Sequence, residues 1–338
     1  MITASPLSAQ PSSTTEDWRQ HWREAVTDAR ELLSLLKLEG LAAQLPEGDA
    51  GFPVRVPRGF IRRMRTGDPH DPLLLQVLPQ LAENRHVEGF QHDAVGDIPA
   101  RAAHGVLHKY RGRALLIASG ACAVHCRYCF RRHFPYGEEI AAAHGWREAL
   151  DYLQSHPDID ELILSGGDPL ALSTRKLDEL SSQLGGVPQL RRLRLHTRLP
   201  VMIPERIDAE LLAWLDGIEL QKIVVLHANH ARELDADVAA ACARLRAHGI
   251  TLLNQSVLLR QVNDDVGSLC ALSERLFECG IVPYYLHQLD HVQGTAHYEV
   301  SDAQAMALMD QVRACLPGYL VPRLVREVQD EPSKRPLG

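Results

Sequence analysis

The chain has 338 residues, is 45% hydrophobic and 23% charged, and carries a formal net charge of −7 at pH 7. That length suits one large α/β unit with an extension, or two domains. The acidic balance, with no basic stripe that argues for nucleic acid, sets that partner class low. With no apolar run of bilayer length and no charged-then-apolar leader, the expectation is a cytoplasmic protein with no membrane partner.

In chain order, residues 1–15, "MITASPLSAQPSSTT", are small and polar and predict a disordered tail. Residues 16–105 form an N-terminal helical and wrapping region. Trp18, Trp22, Val26, Ala29, Leu33 and Leu36 recur at helical spacing, which predicts one amphipathic helix over 16–38. Residues 45–100 are rich in Pro, Gly and Asp and read as short helices and loops around a later core.

Residues 106–300 carry a different rhythm. Six β-type runs stand at 114–119, 161–165, 193–196, 222–227, 251–259 and 281–288. Helix patterns lie between them. Leu234, Val238, Cys242 and Leu245 make one; Val266, Leu269, Leu272 and Leu276, opened by Asp264 and Asp265, make another. The last region, 301–338, opens with "SDAQ", a capping box of Ser301 and Gln304. Apolar strands alternating with helices predict parallel strands with crossover helices. Six units are too few for a closed eight-fold barrel, so the α/β reading is an open partial (β/α)6 barrel. A doubly wound sheet is the alternative. In either fold, chemistry collects beyond the C-terminal ends of the strands. There the sequence places "GACAVHCRYC", "GGDP", "TRLP", "ANH", "RQVND" and "LDH".

Directly after the first of these strands stand Cys122, Cys126 and Cys129. Three thiolates from one loop can hold three irons of a cubane cluster and leave the fourth open to a ligand. A zinc site completed by His125 or His133, or a set of redox cysteines, remains open on the residues alone. The other cysteines, Cys242, Cys270, Cys279 and Cys315, read as small apolar side chains.

The ordered cysteine triplet, with Tyr128 before its last member, resembles the radical S-adenosylmethionine signature. Along the chain, "HKYRGRALLI", "CRYCFRRHF", "ILSGGDPL", "LHTRLPVMIPERI", "NQSVLLRQVNDD" and "PYYLHQLDHVQGTAHY" are similar, in order, to the lysine 2,3-aminomutases. The resemblance implies a [4Fe–4S] cluster on Cys122, Cys126 and Cys129 whose open iron binds S-adenosylmethionine. One-electron reduction then yields a 5′-deoxyadenosyl radical. It also implies pyridoxal 5′-phosphate as a second cofactor. Tyr128, Gly166, Gly167, Asp168 and His230 match S-adenosylmethionine positions. Lys334, in "PSKRP", matches the lysine that carries pyridoxal phosphate as a Schiff base. Lys109, Tyr110 and Arg113 match phosphate partners, and Gln255 a further hydrogen bonder to that cofactor. Arg131 matches the arginine that binds the substrate carboxylate. Asp290 and Glu327 match the acids that receive the ε-ammonium of lysine.

The expected reaction is therefore the conversion of (S)-α-lysine to (R)-β-lysine. The chain stops four residues after Lys334, and with "PSK" resembles the bacterial aminomutases that supply β-lysine for elongation factor P. Expected partners are free lysine, a flavodoxin- or ferredoxin-type reductant, and elongation factor P with its ligase. Self-association into a homo-oligomer is compatible with this reading. An aminomutase for another cationic amino acid, or a radical enzyme without pyridoxal phosphate, are the alternatives.

Overall fold

The computed structural model describes residues 17–46 and 52–338. The tail expected at 1–15 lies outside the described residues. Ten strands form one sheet: β1 (Arg101–Ala103), β2 (Val106–Tyr110), β3 (Arg113–Ser119), β4 (Glu161–Gly166), β5 (Arg192–Thr197), β6 (Gln221–Leu226), β7 (Thr251–Val257), β8 (Val282–His287), β9 (Arg323–Arg326) and β10 (Arg335–Pro336). Each strand lies beside its neighbour in the sequence. From β3 to β9 every pairing is parallel. β1, β2 and β10 pair antiparallel at the two edges.

A doubly wound sheet reverses its strand order at a switch point. Here the order never reverses, so every crossover steps the same way round, as in a barrel. β1 and β10 do not pair with each other among the described residues, and the barrel is partial. The expected α/β architecture holds, with one correction. β9 is a seventh parallel strand, paired with β8 through Tyr285–Arg323 to His287–Val325. It was concealed because it is only four residues long and begins and ends on arginine.

β3, β4 and β6 form where the sequence is largely apolar on both faces, whereas β5 and β7 alternate buried residues with half-buried or exposed ones. Leu116, Ile117, Leu162, Leu164, Leu195 and Leu226 are all buried, as a sheet covered on both sides requires. Helix starts are set by side-chain caps. Asp265 accepts from Ser268 N to open Val266–Glu278, and Ser301 with Gln304 closes a capping box on Asp302–Cys315. Both match the sequence reading.

The single helix predicted over 16–38 is instead two, Trp18–Arg23 and Ala29–Leu35. Between them Val26 exchanges two backbone hydrogen bonds with Val56, each 2.8 Å. Asp28 then caps the second helix by accepting from Arg30 N. A residue buried by a β-bridge satisfies the same spacing as one buried on a helix face. The wrapping region shares the barrel's core: Trp18, Leu32, Phe60 and Leu73 belong to one continuous cluster with Leu116 and Leu164. No helix among the described residues is long and apolar enough to cross a membrane.

Candidate active site

The C-terminal ends of the parallel strands surround a chamber of about 590 Å³. Its wall includes Cys122, Cys126 and Cys129 on one side and Lys334, Glu327 and Asp290 on the other. Both ends therefore share one space, which the topology explains: the first parallel strand delivers the cysteines and the last delivers Glu327.

The cysteine loop is fastened from outside by the wrapping region. Arg127 is fully buried and meets Glu83 through Nη2 at 2.5 Å and Nε at 2.9 Å. Arg132 reaches the same carboxylate at 2.8 Å. Backbone bonds Arg127 N to Gln76 O and His125 N to Arg55 O complete the seam. A buried charge without its partner would be costly, so these pairs fix the loop. Inside, the Arg198 guanidinium donates to Cys126 Sγ at 2.7 Å through Nη1. Its Nη2 donates to Gln76 Oε1 and Glu233 Oε2. Burial pushes the Cys122 thiol well above its ordinary range, and burial with the neighbouring Cys126 pushes Cys129 up to about 11. Such thiols ionise when a metal takes the proton's place.

His125 and His133 are not grouped with the cysteines as a three-ligand metal site among the described residues. Each engages a backbone carbonyl through a ring nitrogen, Pro53 O at 2.9 Å and Gln293 O at 3.0 Å. Among the described residues, no three His, Cys, Asp or Glu side chains are placed to hold one metal ion. Three thiols spread around a shared chamber instead suit a cluster, where each grips a different iron.

Several residues assigned to S-adenosylmethionine prove to build the walls. Asp168 accepts from Leu170 N, Thr197 Oγ1, Arg198 N and Leu199 N. Its oxygens are spent, so it positions the turn that carries Arg198. Burial still pushes its pKa up to about 6 against those hydrogen bonds. Gly166 and Gly167 allow a close approach, but to protein. Gly166 has φ +112°, and a Cβ on Gly167 would lie 2.6 Å from Ala121 O. The glycines thus let β4 dock on the cysteine loop. His230 caps a helical turn by accepting from Arg232 N and is absent from the chamber wall. Asn229 lines the wall in its place and donates to the Tyr128 hydroxyl at 2.6 Å. Tyr128 itself lines the chamber.

At the other end Lys334 donates to Glu327 Oε2 at 2.5 Å. Lys109 donates to Glu327 Oε1 at 3.0 Å and to Val95 O at 2.7 Å, and pairs with Asp97 Oδ1 at 2.6 Å. In this structure Lys109 meets two carboxylates and a carbonyl at the chamber wall. Glu327 is held by two lysines and is not free for a substrate ammonium. Burial would raise its carboxyl, but Lys334 and Lys109 override this and hold it well below the usual range. Arg131 donates through Nε to Asp97 at 2.6 Å and through Nη1 to Ser165 at 3.1 Å. Its Nη2 has no hydrogen bond among the described residues.

What remains is an unspent set facing the chamber. No hydrogen bond or ion pair holds the Asp290 carboxylate among the described residues, and burial together with nearby Glu327 pushes its pKa up to about 7. Arg113 lies 4.5 Å from the Tyr110 ring and meets no carboxylate there. Nε2 of His196 and of His287 is buried without a hydrogen-bond partner. Gln255 meets His227 at 3.1 Å. Burial holds His227 neutral, with a pKa of about 3. A cation-seeking carboxylate, an anion-seeking guanidinium and orphaned ring nitrogens fit a zwitterionic ligand and a phosphate. The sequence reading missed Asp97, Arg198 and Glu83. Only "TRLP", past a strand end, signalled Arg198.

The site is thus a seven-strand partial barrel with a three-cysteine loop at the end of its first parallel strand. The chain is 48% identical over 324 residues to the L-lysine 2,3-aminomutase of Escherichia coli (strain K12), covering 95% of this chain and 94% of the relative. The L-lysine 2,3-aminomutase of Haemophilus influenzae is 46% identical over 320 residues, at 94% and 95% coverage. That of Buchnera aphidicola subsp. Baizongia pistaciae is 39% identical, at 94% of each chain. The chain belongs to the lysine 2,3-aminomutase family and is an isomerase of the aminomutase type. A solved radical SAM methyltransferase from Sphaerobacter thermophilus aligns over 65% of this chain and 68% of its own, at 17% identity and a TM-score of 0.47. No family model matches the chain.

Proposed function

We propose that the protein converts free (S)-α-lysine to (R)-β-lysine with pyridoxal phosphate carried by Lys334. The product then serves, through a separate ligase, the modification of translation elongation factor P in the cytoplasm. The single chamber that joins three cysteines to Lys334 and an unpaired carboxylate supports this reading. When bound, the cluster with S-adenosylmethionine supplies a hydrogen-abstracting radical, and pyridoxal phosphate supplies a carrier for the migrating amino group.

The chain's own residues bind, orient and exclude water. Arg113 offers the phosphate an uncommitted guanidinium, with the Tyr110 hydroxyl nearby. Asp97 and Ser165 hold Arg131 in one orientation, so its free Nη2 is presented to the substrate carboxylate. Asp290 receives the ε-ammonium, which favours a cationic side chain over an acidic one. Glu327 fixes the Lys334 Nζ. The buried walls keep water from a reactive centre.

The test is borohydride reduction of protein loaded with pyridoxal phosphate, followed by digestion and mass analysis. A phosphopyridoxyl group on the peptide containing Lys334, absent from Lys334→Ala, is expected. Its location on another lysine would overturn the assignment. For the elongation factor link, factor P is co-expressed with its ligase, with and without this chain. A mass increase that requires the chain supports the link, and an unchanged mass rejects it.

A further inference from the structure

We infer that the arginine-rich face formed by residues 55–65 is the docking surface for an acidic one-electron carrier protein, which reduces the cluster from the cysteine end of the chamber. The inference deepens the proposed function and rests on it. In the transfer the carrier loses one electron and the cluster gains it; no bond or proton changes hands.

The stretch "RVPRGFIRRMR" carries Arg55, Arg58, Arg62, Arg63 and Arg65 and no acidic residue, in a chain whose net charge is −7. The structure divides these five by role. Arg63 is buried against Asp235 at 2.6 Å and Val201 O at 2.6 Å. Arg55 is half-buried over the Trp22 ring. These two anchor the segment. Arg58, Arg62 and Arg65 are exposed. Arg58 pairs with Glu31, itself exposed, a contact worth little in water. Arg65 reaches Asp68 only at 3.9 Å and is 67% exposed. Arg62 meets no carboxylate among the described residues. The five arginines face Glu24, Glu31, Asp68 and Asp235, so the segment keeps an excess of one positive charge on an acidic protein.

Its position carries the inference further. Phe60 comes from the same short helix, Arg58–Ile61, and is buried beneath the arginines. The Arg198 guanidinium lies 5.7 Å from the Phe60 ring centroid and donates to Cys126 Sγ at 2.7 Å. His125, in the cysteine loop, bonds through its backbone N to Arg55 O at 3.0 Å. Two side chains, Phe60 and Arg198, thus lead from the basic segment to a thiol. A positive surface steers an acidic partner into a productive encounter and raises its association rate, an effect that salt screens.

The test uses reconstituted full-length protein with matched iron content. Bleaching of the cluster absorbance is followed by stopped flow, with either dithionite or a reduced acidic flavodoxin as donor. The triple variant Arg58→Glu/Arg62→Glu/Arg65→Glu and the milder double variant Arg62→Ser/Arg65→Ser are compared with the wild type. The expected result is a loss of about tenfold or more in the flavodoxin-driven rate for the triple variant, and a smaller loss for the double. The dithionite-driven rate stays unchanged, and the wild-type flavodoxin rate falls with salt more steeply than either variant's. An equal flavodoxin rate in wild type and double variant, or equal salt dependence, would overturn the docking surface. Wild-type protein that takes up no iron would instead overturn the functional reading beneath it.

Discussion

At the cysteine end of the chamber, Asp168 accepts from four donors and Arg198 divides its fork among Cys126, Gln76 and Glu233. At the lysine end, Asp290 and Arg113 have no ionic partner among the described residues, and His196 and His287 each bury an unsatisfied Nε2. The cysteine end is the more heavily bonded network, although Nε of Arg198 and of Arg132 is buried without a partner; at the lysine end whole charged groups are left unpaired among the described residues. Satisfied buried networks rigidify, whereas unpaired buried groups cost free energy until something binds them. On the proposed function, the cysteine end is the scaffold for a permanent cluster. The lysine end is kept poised for ligands that come and go. Between them, Asp97 ties Arg131 to Lys109 and so couples the two regions.

The largest effect should come from removing the lysine. Lys334→Ala is expected to lower lysine turnover by at least about 10³-fold, as loss of a covalent catalytic group does. Iron content and cluster absorbance should stay intact. Iron lost in parallel with turnover would show that the two ends are not separable.

Asp290→Asn comes next, with kcat/KM for lysine reduced roughly 30- to 1,000-fold, the range for unpairing a buried charge. Its pH dependence sharpens the contrast. A carboxyl raised from 3.8 to about 7 holds a proton in the native state that the unfolded chain has released. Stability therefore falls as pH rises from about 4 toward 7. Affinity for an ammonium group moves the opposite way, because only the ionised carboxylate attracts it. The KM for lysine should fall between pH 6 and 8 in the wild type and stay flat in Asp290→Asn. A wild-type KM without pH dependence would remove Asp290 from the ammonium site.

Breaking the link between the ends should be felt as stability. Asp97→Asn leaves Arg131 and Lys109 short of a buried carboxylate and should cost about 3–5 kcal/mol in denaturant unfolding. Asp168→Asn, which keeps one acceptor oxygen, should cost about 1–3 kcal/mol. A larger loss for Asp168→Asn than for Asp97→Asn would reverse the order of the two regions.

The sequence made some of this plain and hid the rest for physical reasons. Strands such as "ALLIAS" and "KIVVLH" were legible because sheets covered on both faces demand continuous apolar runs, and "LRLH" because it alternates with period two. β9 was not, since four residues flanked by arginine carry no period. The cysteines were legible because a loop supplies all three. Asp97 was not, because its partners, Arg131 and Lys109, are distant in sequence and only the folded sheet assembles them. Lys109 and Glu327 were placed at the right end of the chamber, but the sequence could not show that they hold one another. His230 and Asp168 stood near the site for a local reason, capping a turn and bracing another, which residue type alone does not separate from ligand binding.

The most direct test of one chamber serving both ends is anaerobic incubation of reconstituted protein with (S)-lysine, S-adenosylmethionine, pyridoxal phosphate and dithionite, followed by chiral chromatography with mass detection. The account predicts (R)-β-lysine, formed by the wild type and absent with Lys334→Ala. Production of 5′-deoxyadenosine without any β-lysine would contradict it, since the cysteine end would then work without the lysine end.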